Sequence, residues 1–421
     1  MSRIDQLIAE LCPRGVEFKA LGEVATYSDT RIDASELDET TFIGVDNLLP
    51  NAAGRTDANY TPNTARITAY EAGDVLLGNI RPYLKKIWLA DNNGGCSGDV
   101  LAIRISKEFQ PLLLSKYLYY SLSSDGFFAY NMQHAKGAKM PRGSKEAILK
   151  YKIPVPPLKI QREIVKMLDT FTSLEAELEA ELEARRRQYK YYRDTLLTFD
   201  ERTGREGRKE GRKEGRKEGR NCTTRWTTLG EIATIVRGAS PRPIQSFLTD
   251  ADSGVPWIKI GDVISGGKYI TGTAERVTAA GASKSRRIHP GDFVLSNSMS
   301  FGRPYISKIE GCIHDGWLAI SNFSSSFVPD FLYHLLRSTV VQAEFARRAG
   351  AGTVQNLNAE VVRSVPIPVP PLEEQNRIVA ILDQFDALVN DLSSGLPAEI
   401  KARRQQYEYY RDHLLTFKEV A

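Results

Sequence analysis

The chain has 421 residues, 42% hydrophobic and 26% charged, which fits a globular protein of roughly two to four domains and excludes a disordered or fibrous one. No run of about 18 apolar residues occurs, and the opening MSRIDQLIAELCPRG lacks a signal peptide's apolar stretch, so neither a membrane helix nor export is expected. Fifty-six basic against 52 acidic residues leave a net charge of only +4; Cys12, Cys96, Cys222 and Cys312 form no CxxC pair, which argues against a structural zinc or a disulfide framework and for a reducing, cytoplasmic setting.

In chain order, residues 1–152 mix short β-rich runs, VLLGNI (75–80), KIWLA (86–90) and VLAIRI (100–105), with a helical patch at 112–122. They predict a compact mixed α/β (α+β) domain. Residues 153–203 begin with the proline-rich IPVPPL (153–158), an extended lead-in. A long helix should follow, because Ile164, Leu168, Phe171, Leu174, Leu178, Leu182, Tyr189, Tyr192, Leu196 and Phe199 recur mainly at steps of three and four. Residues 204–220 carry three GRKE tetrapeptides, a composition equally compatible with a solvated linker and with a helical extension docked on a partner helix.

Residues 221–366 repeat the first domain loosely, and residues 367–421 repeat the helix closely. IPVPPL returns at 367–372; between 153–174 and 367–388, 13 of 22 positions are identical at an offset of 214. ARRRQYKYYRDTLLTF (184–199) and ARRQQYEYYRDHLLTF (402–417) share 13 of 16 at an offset of 218. The second apolar stripe runs Ile378, Leu382, Phe385, Leu388, Leu392, Ile400, Tyr407, Tyr410, Leu414 and Phe417, and Gly395 and Pro397 predict a kink or break in its middle. LGEVAT (21–26) answers LGEIAT (229–234), and AGDVLL (72–77) answers PGDFVL (290–295). The chain is therefore an internal pseudo-two-fold duplication in which the domains have diverged and the helices have not. By this symmetry, Phe417 should return to the start of the first domain.

Catalytic signatures are missing: no GxxxxGK[ST] loop, no HExxH, no GxGxxG after a strand, and His134, His289, His314, His334 and His413 form no cluster in the sequence. Two diverged domains on two similar helices suit a bipartite, asymmetric linear target, for which duplex DNA is the obvious candidate. Local charge agrees. Residues 131–152 carry Lys136, Lys139, Arg142 and Lys145, and IRPYLKK (80–86) offers Arg81, Tyr83 and Lys85, mirrored by Arg303 and Tyr305 in GRPYISK (302–308). Arg286, Arg287, Arg347, Arg348, Gln355 and Asn356 are the candidates in the second domain, since Arg can read guanine and Asn or Gln adenine.

IPVPPL followed by Gln161 and by Gln375, the LGE lead-ins, the paired YYRD..LLTF helix ends and the domain–helix–domain–helix order together resemble the specificity subunit of type I restriction-modification enzymes. The resemblance covers nearly the whole chain. It implies two target recognition domains, each reading half of a split DNA site, and helices packed as an antiparallel coiled coil that spaces them. It implies two modification subunits docking on the helices around Gln161, Ile164, Leu168 and Phe171 and around Gln375, Ile378, Leu382 and Phe385, and possible restriction subunits. No metal or cofactor is expected in this chain; S-adenosylmethionine, ATP and Mg would belong to the partners. Two other readings stay open at this point: a scaffold joining two protein-binding domains, and an enzyme whose site is unrecognised.

Overall fold

The computed structural model describes residues 3–60, 62, 64–199, 224–263, 267–298, 300–349, 356–391 and 393–420. The GRKE segment and Gln355 lie outside the described residues. The chain divides into two compact units, Met1–Glu177 with Lys401–Ala421, and Leu178–Ile400. The division cuts the long helices, so each unit comprises one mixed α/β domain with the helix segments packed on it.

Unit 1 contains helices α1 (Arg3–Leu11), α2 (Leu21–Val24), α3 (Ser115–Leu122), α4 (Asp125–Gln133), α5 (Lys145–Lys150) and the first part of α6 (Leu158–Leu196). The predicted strands form at Val75–Gly78, Ile87–Leu89 and Val100–Ile105, and with Ala25–Tyr27 they make an antiparallel four-stranded sheet. Strand alternation gives this sheet two buried faces. Val75, Leu77, Leu101 and Ile103 pack against Tyr117, Leu118, Ile160, Ile164 and Leu168 of the helices. Leu76, Trp88, Val100 and Ala102 face Ile43, Tyr70 and Cys96 of a second four-stranded sheet.

Unit 2 repeats the plan with α7 (Leu229–Ile232), α8 (Ala279–Ala282), α9 (Pro329–Leu336), α10 (Thr339–Ala349), α11 (Ala359–Arg363), α12 (Leu372–Asn390) and α13 (Leu396–Leu414), the last of which passes into unit 1 at Lys401. Phe293, Leu295, Leu318 and Ile320 face the helices, and Val294, Tyr305, Trp317 and Ala319 face the second sheet.

The lead-ins are extended as expected. Lys152–Pro154 pairs with Phe18–Ala20, and Pro366–Val369 with Arg225–Thr228, both antiparallel. A proline, Pro157 or Pro371, immediately precedes each long helix, where its missing N–H breaks no helical hydrogen bond. α6 runs unbroken for 39 residues because it holds no glycine or proline, and Glu181–Arg185 and Glu183–Arg186 pairs brace its exposed side. The second helix does break: α12 ends at Asn390 and α13 begins at Leu396. Asp391 turns the chain by accepting hydrogen bonds from the backbone N–H and hydroxyl of Ser393 and the hydroxyl of Ser394.

Within unit 1, Phe171 of α6 stacks on Tyr410 of α13 (5.4 Å between centroids, 20° between planes), and Glu175 pairs with Arg404, so these two segments run antiparallel. Within unit 2, Tyr192 of α6 stacks on Phe385 of α12 at 5.2 Å and 21°. These are the same two repeat positions with their roles exchanged. The chain end also returns as expected: Val16 N–H donates to Lys418 O at 2.8 Å and Val420 N–H to Val16 O at 3.1 Å. Among the described residues, no helix is long and apolar enough to cross a membrane.

Candidate nucleic-acid interface

In unit 1 the central strand Val75–Gly78 runs into the buried Asn79. The carbonyl of Asn79 accepts from Gly143 N–H at 3.1 Å, and Arg81 N–H donates to Pro141 O at 2.7 Å. The two basic stretches seen separately in the sequence are thereby stitched side by side. Lys136 and Arg142 exchange both backbone hydrogen bonds, at 2.9 and 2.8 Å, closing a tight loop whose tip, Gly137–Met140, is exposed. Gly137 is needed there: its φ is +102° and a Cβ would lie 3.2 Å from Met140 O. Arg81, Tyr83, Lys136, Lys139, Arg142 and Lys145 are all exposed. Arg142 donates to Asp99 at 3.2 Å, whereas Lys85 is half-buried and tied to Asp125 at 2.7 Å.

Unit 2 makes the equivalent bond: the main-chain carbonyl of the buried Asn297 accepts from Leu357 N–H at 2.8 Å. Its candidate residues, however, are scattered. Arg286 and Arg287 are exposed on an edge strand, Arg287 pairing with Glu310 at 3.2 Å. Arg347 and Arg348 belong to α10 rather than to a loop, and both bind Glu344, at 2.8 Å each. Those guanidinium hydrogen bonds, Arg347's first and then Arg348's, hold the Glu344 carboxyl down at about 2. Exposed pairs of this kind are weak, so either arginine can exchange its partner for a phosphate. Asn356 is exposed.

Tyr305 corrects the sequence reading. The Arg-Pro-Tyr recurrence is not a structural equivalence: Tyr83 sits on an exposed turn, but Pro304–Ser307 is a strand, and Tyr305 points between the sheets. It is buried edge-on against Trp317 at 5.7 Å, with Arg303 lying over its ring. It has no surface with which to touch DNA.

The profile of the type I restriction modification DNA specificity domain matches residues 13–184 and again 224–402. This chain belongs to that family. It is 34% identical to the type I restriction enzyme EcoR124I/EcoR124II specificity subunit of Escherichia coli over 63% of this chain and 63% of that protein, so the alignment spans somewhat less than two thirds of the relative. It is 30% identical to a putative type I restriction enzyme specificity subunit of Haemophilus influenzae over 72% of this chain and 73% of the other. Among solved structures, one chain from a study of complex assembly and conformational transition of the type I R-M system has the same fold: TM-score 0.65, 22% identity, 96% of this chain and 98% of that one. The S subunit of the M. genitalium type I system superposes with a TM-score of 0.52 at 14% identity over 95% and 96%.

The signature glutamines of this chain lie elsewhere than expected. Gln161 and Gln375 are completely buried. The Gln161 carboxamide accepts from Leu114 N–H at 3.0 Å and donates to Leu112 O at 2.8 Å and Pro156 O at 2.7 Å. Gln375 makes the same set with Val328 N–H, Ser326 O and Pro370 O, each at 2.8 Å. Each glutamine latches a long helix onto the start of α3 or α9 in its own unit. Ile164, Leu168, Ile378 and Leu382 are likewise buried in their own units, so this face is not exposed for a partner; Phe171 and Phe385 are half-buried under Tyr410 and Tyr192. Among the repeated residues that face solvent are Tyr191 and Tyr409, 66% and 65% exposed, and, just past the ends of α6 and α13, Thr198 and Thr416. Sequence reasoning missed these residues, and it missed the two buried asparagines. Asn79 and Asn297 were within reach, as identical residues two places beyond the AGDVLL/PGDFVL match.

Proposed function

We propose that this chain directs a type I restriction-modification complex to a bipartite, asymmetric DNA site, with unit 1 reading one half and unit 2 the other. The supporting observation is that both units carry the same main-chain bond, Asn79 to Gly143 and Asn297 to Leu357, while the sequences leading up to Gly143 and to Leu357 differ. In unit 1, Arg81, Lys136, Lys139, Arg142 and Lys145 form the DNA face; in unit 2, Arg286, Arg287, Arg303, Arg347, Arg348, Gln355 and Asn356 are the candidates. The long helices pair as an antiparallel coiled coil that sets the spacing. Two modification subunits dock on them, and we place the contact on the exposed repeated residues, Tyr191 with Thr198 and Tyr409 with Thr416. An exposed tyrosine kept in both copies buries little of its ring within the fold, and tyrosines anchor interfaces well. Methyl transfer, with S-adenosylmethionine, and any ATP-driven cleavage belong to the partners.

The test is methylation mapping after residues 1–152 are exchanged for another recognition domain. One half of the methylated motif should change, and the other half and the spacer should stay. If both halves changed together, the modular reading would fail. No observation favours the scaffold or enzyme readings.

A further inference from the structure

Tyr83 stands 51% exposed on the one-turn helix Pro82–Leu84. The residues on either side, Arg81 and Lys85, both hold left-handed backbone, with φ of 54° and 50°, a conformation uncommon outside glycine. The surroundings enforce it. Arg81 N–H is bonded to Pro141 O, Asn51 N–H donates to Leu84 O and Ala52 N–H to Lys85 O, both at 2.9 Å, and the Lys85 ammonium is tied to Asp125. Asp125 is itself held by Arg411 at 2.9 Å. A turn strained at both ends and braced from three directions thus presents an aromatic ring to solvent. Among the described residues, that ring makes no ring contact or hydrogen bond. Backbone strain of this kind is concentrated at functional sites. The loop that pins Arg81 carries the second apolar group: Met140, adjacent to Pro141, is 48% exposed at its tip.

The basic residues around these two groups can bind phosphate, a contact that carries no sequence information. Met140 has nothing to offer a phosphate, and Tyr83 offers one only its hydroxyl, a contact that Tyr83→Phe removes while keeping the ring. Apolar atoms gain from contact with base edges, above all the thymine methyl in the major groove. We propose that Tyr83, flanked by Met140, is the base-reading tip of unit 1: it packs against a base edge of the first half-site while Arg81, Lys136, Lys139 and Arg142 hold the backbone on either side. This rests on the reading of unit 1 as a DNA-recognition domain. Unit 2 cannot use its own Arg-Pro-Tyr in this way, because Tyr305 is buried.

The experiment uses the full chain assembled with its modification subunits. It combines methylation mapping in cells with duplex binding measured from low to moderate salt. Tyr83→Ala should make one position of the first half-site degenerate, lowering discrimination there by roughly tenfold or more, and should leave the second half-site, the spacer and the salt slope unchanged. Tyr83→Phe, which keeps the ring, should preserve the motif. Lys139→Gln should reduce the salt slope by about one without altering the motif. If Lys139→Gln lowers the slope but Tyr83→Ala leaves the motif intact, the tip is disproved and the DNA face stands. If neither slope nor motif moves, the DNA face itself is wrong. Should Tyr83→Ala collapse the turn and abolish binding, Met140→Ala decides: relaxation in the first half-site supports the tip, and an unchanged motif overturns it.

Discussion

The two units are the same machine fitted with different tools. Their tethers are repeated atom for atom: a buried glutamine with three backbone partners, a Phe–Tyr stack between helices, and an asparagine main-chain carbonyl that accepts from a distant amide. These devices survive divergence because the glutamine and asparagine bonds go to backbone amides and carbonyls, which a change of side chain leaves in place. What the tethers carry has drifted. Asp169 of α6 accepts from Tyr120 at 2.6 Å and Lys116 at 2.8 Å. Its counterpart Asp383 accepts from His334 at 2.8 Å, and its lysine comes from Lys268, elsewhere in the domain, at 3.0 Å. The duplication fixed the aspartate and let the partner change.

The latches give the sharpest way to break this comparison. Gln161→Leu and Gln375→Leu each leave one buried N–H and two carbonyls without a partner, which should destabilise the unit concerned by about 3 kcal/mol or more. Denaturant unfolding followed by hydrogen exchange should show the loss confined to the unit carrying the substitution, and similar in size for both. A loss in only one of the two variants would mean that the latches are not equivalent.

A smaller effect separates the units by pH. Burial pushes the His334 imidazolium below its ordinary value of 6.5, against the opposing pull of the Asp383 carboxylate and the charge of Asp386; Lys268 adds to the lowering. The neutral ring then donates from Nε2 to Asp383 and accepts the Tyr189 hydroxyl at Nδ1, 3.1 Å away. A folded value below the unfolded one means that the unfolded chain takes up the proton first. The stability is therefore complete above about 6.5 and is lost as the pH falls toward and through the lowered folded value. Tyr120, whose phenol is pushed up by burial, undergoes no such change. Exchange protection, corrected for intrinsic rates, should fall in α9 but not in α3 between neutral pH and mildly acidic pH. Equal behaviour of the two helices would contradict this.

The smallest expected effect concerns the segment between the units' repeats. If the GRKE array transmits its length as a helix, each tetrapeptide adds about 6 Å, comparable with one or two base-pair steps, and should lengthen the preferred spacer by about one base pair with both half-sites unchanged. Methylation mapping with two, three and four copies checks it; an identical, sharp spacer in all three would return the array to a plain charged linker.

Much of the fold was legible because it is local. The strands at 75–78, 87–89 and 100–105, the unbroken α6 and the break at Gly395 and Pro397 follow from periodicity and from the backbone limits of two residue types. The duplication and the return of the chain end to Val16 were legible from identity at a fixed offset. The candidate site was legible only in part. A run of basic residues predicts an exposed segment, and Arg81, Lys136, Lys139 and Arg142 are exposed. Only the tertiary structure, however, joined Arg81 to Pro141, buried Tyr305 while presenting Tyr83, and turned Gln161 and Gln375 from docking residues into latches. Each of these outcomes depends on which distant backbone or sheet face lies opposite a side chain, and spacing along the chain carries no information about that.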